Sequence, residues 1–169
     1  MKMQLVQSLH AELRNAILSH YKELTARCTD DVIYGYSLFT DDCVSSIGPV
    51  AVKEGSIQVK ESDPMYNYYR YGVVEWTEWD DFGMFDEVNQ TIRNYHETVK
   101  DSFEERVTTL LQASLDVLIE LESTGLFGPR NDSRFLVICV SDSENEIMIE
   151  SAQKLNTSKV CEDYASEFA

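Results

Sequence analysis

Apolar residues recur every three or four positions from Leu5 through Leu9, Leu13, Ile17, Tyr21 and Leu24, while Lys2, Glu12, Arg14, Lys22 and Glu23 fall between them. That period marks a helix with one buried stripe, and it predicts a first amphipathic helix reaching about Arg27. Thr29-Asp30-Asp31 breaks the period, and the run Val32 to Phe39 that follows is rich in the β-branched and aromatic residues of a strand. Thr40-Asp41-Asp42-Cys43 supplies turn residues, so Val44 to Val52 is expected to pair back as the second strand of a hairpin, with Pro49 near an edge or bulge. Residues 53 to 70 follow neither a strand period nor a helix period, and are read as a short helix or as loop. Tyr68 to Trp76, where Tyr, Val and Trp alternate with Arg70, Gly72 and Glu75, is expected to be a third strand.

Helical spacing returns from Met84 through Phe85, Val88, Ile92 and Tyr95, and a longer helix carries Phe103, Val107, Leu110, Leu111, Leu115, Leu118, Ile119 and Leu121 before Gly125. Phe135 to Val140 has the length and composition of a buried strand. Ser143-Glu144-Asn145-Glu146 matches a capping box for a helix that turns Ile147, Ala152 and Leu155 inward, and a last helix after Asn156-Thr157-Ser158 spaces Val160, Tyr164 and Phe168 four apart. Runs of strands among long helices predict an α+β fold, a small mainly antiparallel sheet of about four strands packed against long amphipathic helices. A length of 169 residues without repeat or low-complexity linker predicts a single domain spanning 1–169.

Charge changes the picture more than composition does. The 30 Asp and Glu against 14 Lys and Arg leave a formal charge of -16. Such a field repels phosphate backbones and anionic membrane surfaces over a Debye length of ~8 Å, so nucleic acid and membrane are not expected partners, and encounter with a basic protein is favoured. Gln7, Ser8, His10 and Glu12 interrupt the apolar start, unlike a signal peptide, and no stretch has the length of a membrane span, which predicts a cytoplasmic location. Cys28, Cys43, Cys139 and Cys161 fit a reducing compartment, since none stands in a Cys-x-x-Cys pair; Cys139 reads as a small buried hydrophobe.

Reactive chemistry is hard to find. His10, His20 and His96 form no metal-binding pattern, and neither a nucleophile elbow nor a phosphate-cradling glycine loop occurs, so no catalytic residue, metal or cofactor is expected. Acid pairs at Asp30-Asp31, Asp41-Asp42, Asp80-Asp81 and Glu104-Glu105 are what chance gives in so acidic a chain, although carboxylates such as Asp41, Asp42, Asp80 and Asp81 would serve a small hydrolase or ligand-binding enzyme if the fold gathered them.

One segment stands out. From Met65 to Glu87 the chain concentrates Tyr66, Tyr68, Tyr69, Tyr71, Trp76, Trp79, Phe82 and Phe85, and between Glu75 and Glu87 it has six acids and no base. Tyr66, Tyr69, Trp76 and Trp79 with Asp80, Asp81 and Asp86 are the candidate partner-binding residues, because exposed rings bury much area at little entropic cost while carboxylates steer a basic protein. The competing reading makes the rings part of the core and the acids their solvated backs.

The chain also resembles a bacterial family of uncharacterised proteins, domain of unknown function 4303. The likeness lies in the order of its pieces: the initial amphipathic helix, Tyr36-Ser37-Leu38-Phe39-Thr40-Asp41-Asp42, Glu75-Trp76-Thr77, the long helix closing on Leu121 to Phe127-Gly128, and Ser151-Ala152-Gln153-Lys154-Leu155-Asn156. The resemblance brings no activity and no catalytic residues. Its analogy with small acidic bacterial domains implies an immunity-type or antitoxin-like role for the chain itself. The expectation is a non-enzymatic protein that binds a basic partner, with the carboxylate enzyme and a homo-oligomeric scaffold, built by pairing of the aromatic strand, as alternatives.

Overall fold

The computed structural model describes residues 1–169. Its helices are α1 (Lys2–Arg27), α2 (Tyr66–Tyr71), α3 (Asp86–Thr98), α4 (Phe103–Ser123), α5 (Glu146–Leu155) and α6 (Ser158–Phe168), and its strands are β1 (Ile33–Thr40), β2 (Ile47–Lys53) and β3 (Phe135–Val140). The strands form one sheet in the order β2-β1-β3. β2 runs antiparallel to β1, and β3 runs parallel to it. The fold is therefore α+β as expected, with three strands in a mixed sheet where about four, mainly antiparallel, were expected. No helix is long and apolar enough to cross a membrane.

The missing strand is Tyr68 to Trp76. Residues 66–71 are helical, and Val73–Glu75 forms a short 3-10 turn. The self-pairing scaffold rested on this segment being a strand.

Strand alternation sorts side chains onto two faces. Leu136, Ile138 and Val140 of β3, with Tyr36 and Leu38 of β1, join the stripes of α1, α3 and α4 in the larger core. Phe135, Val137 and Cys139, with Val50 and Val52, face a smaller core holding Tyr71, Trp76, Val160 and Tyr164. Tyr34 has the parity of Tyr36 yet joins the smaller core, because the register shifts between Ile33 and Gly35 and the irregularity re-aims it. Burial pushes the Cys139 thiol up to about 11, in keeping with a small packed hydrophobe.

Caps follow the sequence with one exception. Ser102 and Glu105 form a true capping box for α4, and Thr157 caps α6. The box expected at Ser143 is not the one used: Asn145 caps α5, its side chain accepting from the Ile147 amide. Along β3, Asn156 accepts from the Leu136 amide and donates to the Leu136 carbonyl, while Ser151 accepts from the Ile138 amide. Along β2, Asn89 accepts from the Ile47 amide and Ala51 exchanges two hydrogen bonds with Glu78.

Candidate functional site

The aromatic segment divides in two. In its first part Trp76 is only 3% exposed, so it is a core residue and not the surface ring expected. Its indole lies on Gly35, where a Cβ would come within 2.7 Å of the Trp76 Cη2 atom; the glycine is the space the ring needs. The Trp76 Nε1–H and the Tyr34 hydroxyl both donate to the Arg70 carbonyl, at 3.3 and 2.9 Å. Arg70 is itself buried, lies 4.2 Å over the Tyr34 ring and makes a bidentate pair with Glu54 at 3.0 and 3.1 Å. Burial works against its charge, but the hydrogen bonds it donates to the Glu54 carboxylate, and that carboxylate's charge, outweigh it and the guanidinium stays cationic.

Tyr66 and Tyr69 belong to this first part and sit apart from the tryptophan further on. Tyr66 is half-buried, accepts from Arg70 at 3.3 Å and lines a polar hollow with Glu61 and Lys159. Tyr69 is exposed and lines another hollow with Ile57 and Val59. The seven candidate residues thus do not make one surface.

The second part differs. Trp79 is 44% exposed, yet it is held from several sides. Its Nε1–H donates to the Trp76 carbonyl at 2.6 Å, and its ring meets Phe39 edge-on with centroids 5.1 Å apart. On one side the neighbouring Glu78 is pinned to Ala51 by the two backbone bonds, at 2.9 and 3.0 Å. On the other, the Asp80 carbonyl accepts from His20 Nε2–H at 2.8 Å. Since a carbonyl only accepts, that nitrogen carries the proton, and Nδ1 of the neutral ring accepts from the Tyr36 hydroxyl at 2.9 Å. Desolvation lowers the His20 pKa against the opposing pull of the Asp80 carbonyl and the Asp81 and Asp80 charges. Phe82, with φ of +52°, stacks on His20 and is covered by Arg27.

Trp79, Phe39, Asp41, Asp81 and Asn89 line a cleft of ≈ 340 Å³ at the carboxyl end of β1. The backbone turn after it explains part of the acid count: Asp80 accepts from the Phe82 amide and Asp81 from the Gly83 amide, both with Oδ1. Asp86 stands exposed in the first turn of α3, where the helix dipole favours a negative charge. None of Asp80, Asp81 and Asp86 has a basic side chain within ion-pair distance, whereas Glu78 is paired with Lys53 at 3.3 Å.

Of the four carboxylates considered for an enzyme, Asp41 and Asp81 share this cleft, and Asp42 and Asp80 do not line it. Partial burial would raise the Asp41 pKa, but bonds from the Ser45 hydroxyl and the Ser45 and Cys43 amides prevail and lower it. Asp41, Asp42 and Cys43 lie within metal-binding distance of one another, but they satisfy themselves, the Cys43 thiol donating to Asp42. A larger hollow, ≈ 640 Å³, lies between α5 and the end of α6 with Glu144, Glu146 and Glu167 around it, and neither tryptophan reaches it. Phe39 and Asn89 were not singled out in the sequence; the signal for Phe39 was its parity with Gly35 and Ser37 on β1, and Asn89 had none.

A family model described as a domain of unknown function (DUF4303) matches residues 13–157. No curated protein and no solved structure matches the chain.

Proposed function

The chain belongs to the DUF4303 family, and from that premise we propose that it is a non-enzymatic binding protein that engages a basic protein through the acidic surface around Trp79. The carrying observation is an exposed tryptophan that is already immobilised. With its N–H spent on Trp76, its ring braced by Phe39 and its backbone pinned at Glu78 and Asp80, Trp79 presents π and apolar surface that a partner covers without first ordering it. The unpaired carboxylates of Asp80, Asp81 and Asp86 supply the steering charge. A cationic side chain entering the cleft meets the indole and the Asp81 carboxylate together. Both carboxylate oxygens of Asp41 are engaged by its own loop, which favours binding over acid–base chemistry there.

The immunity-type role implied by the resemblance is the specific form of this proposal, and four free thiols support placing it in the cytoplasm. Its test is capture from the source cells at low salt, comparing wild type with Trp79→Ala and with Asp80→Asn/Asp81→Asn. Basic proteins should be enriched by wild type, released as salt rises and lost from both variants. Equal capture by Trp79→Ala, or capture without bias toward basic proteins, removes the proposal.

A further inference from the structure

The chain has seven arginines, and Arg14, Arg27, Arg70, Arg130 and Arg134 each stand within ion-pair distance of a carboxylate. Arg93 and Arg106 do not, although acids outnumber bases by 30 to 14. Both line the same cleft, ≈ 370 Å³, between α3, the start of α4 and the loop after β1. Two arginines left without a carboxylate partner on so acidic a chain, and lining one cleft, make a local concentration of positive charge.

The helices build this arrangement by spacing. Arg93, His96 and Glu97 lie three and four residues apart on α3, and Phe103 and Arg106 lie three apart on α4, so each set shares a helix face. Arg106 Nη1 donates to the Val99 and Asp101 carbonyls at 3.3 and 2.9 Å, which fixes the guanidinium at the α3–α4 corner. Its Nε–H is buried without an acceptor. Arg93 donates only to Gln90, at 3.0 Å. His96 Nε2–H donates to the Val44 carbonyl at 3.0 Å, and its Nδ1 makes no hydrogen bond. Phe103 is 45% exposed beside them. Glu97 shares the cleft but forms no ion pair with either arginine.

Arg106 Nη2 and the Arg93 N–H groups not bonded to Gln90 have no acceptor in the protein, and an oxyanion supplied from outside would offer acceptors to both guanidinium groups. The rest of the chain's negative charge is screened over ~8 Å, and within the cleft two guanidinium groups outnumber the one carboxylate, Glu97. We propose that this cleft binds an oxyanionic group, phosphoryl or carboxylate, carried on an apolar body that lies against Phe103. The site is independent of the Trp79 surface.

The test is an NMR titration of the full, isotope-labelled chain at constant ionic strength with phenyl phosphate, benzoate and inorganic phosphate, following arginine Nε–H, His96 ring and Phe103 signals. At least one of the two aromatic probes should give saturable shifts at this cleft, and the tighter of them identifies the headgroup. Inorganic phosphate should bind about tenfold more weakly than phenyl phosphate if the phosphoryl group is preferred, and Arg93→Gln should weaken the preferred probe about tenfold. Arg106→Gln also loses the carbonyl ties and is read only if its thermal melt stays cooperative; Arg93→Gln and Phe103→Ser change exposed side chains and keep the experiment decisive. Absence of saturable shifts with all three probes overturns the site, as does an affinity untouched by Arg93→Gln. An affinity unchanged in Phe103→Ser overturns the apolar half of the proposal.

Discussion

Two stretches of the same aromatic segment, residues 66–76 and 77–86, are both rich in rings and each hold one tryptophan, yet differ in what the fold does with them. In the first, a tryptophan needs the bare backbone of Gly35 beneath it, and an arginine spends its hydrogen bonds inside the molecule. In the second, a tryptophan is also held but its ring is left out, and Asp80, Asp81 and Asp86 are left without counter-ions while Glu78 pairs with Lys53. Ring content alone does not distinguish core from exposed surface. The difference lies in whether a small residue across the sheet makes room for the ring.

That contrast can be broken by exchanging effects between the two tryptophans. Trp76→Ala should destabilise by ~3–5 kcal/mol, because it empties a packed site and removes one of the two donors to the Arg70 carbonyl; urea unfolding measures it, and a loss below ~1 kcal/mol would mean the smaller core does not depend on this ring. Trp79→Ala should move stability by no more than about 1 kcal/mol while costing about 2 kcal/mol or more in partner affinity, the pattern of a contact residue. With only these two tryptophans in the chain, a Trp76→Phe background isolates Trp79 fluorescence as the binding signal.

A smaller effect concerns the histidine that ties down the second stretch. The folded His20 pKa is depressed, so as pH falls through about 6.5 the unfolded chain takes up the proton first, and folding stability declines until the folded pKa is reached. The contribution is full above about 6.5 and lost below it, at no more than about 1.4 kcal/mol per pH unit. Unfolding midpoints at pH 8, 6.5 and 5.5 should show this slope, and His20→Gln should be weaker at every pH but flatter between 6.5 and 5.5. An unchanged slope in the variant would free the loop from His20.

Much of the fold was legible because it is written locally. The α1 stripe carries its own period and β3 is an unbroken run of six apolar residues, and both elements stand where those signals put them. Tyr68 to Trp76 alternates like a strand, but what holds Tyr66–Tyr71 as a helix is Glu54, Tyr34 and Gly35, none of them in the local sequence. A similar miss occurred at the caps, where Ser143 and Asn145 competed two residues apart and Asn145 prevailed. The Trp79 cleft was half visible: Trp79 and Asp81 stood out by composition, whereas Phe39 and Asn89 join them only through the hairpin and the α3 packing.

The margins of the sheet carry a last consequence. The amides of Ile47 and Ala51 are occupied, Pro49 between them has no N–H, and on the far side Asn156 and Ser151 engage Leu136 and Ile138. An approaching β-strand would find no continuous ladder to extend, which is how natural sheets avoid growing into aggregates. A partner of the kind proposed would therefore be met by side chains and not by an added strand, and such a surface can be retuned one residue at a time without disturbing the sheet.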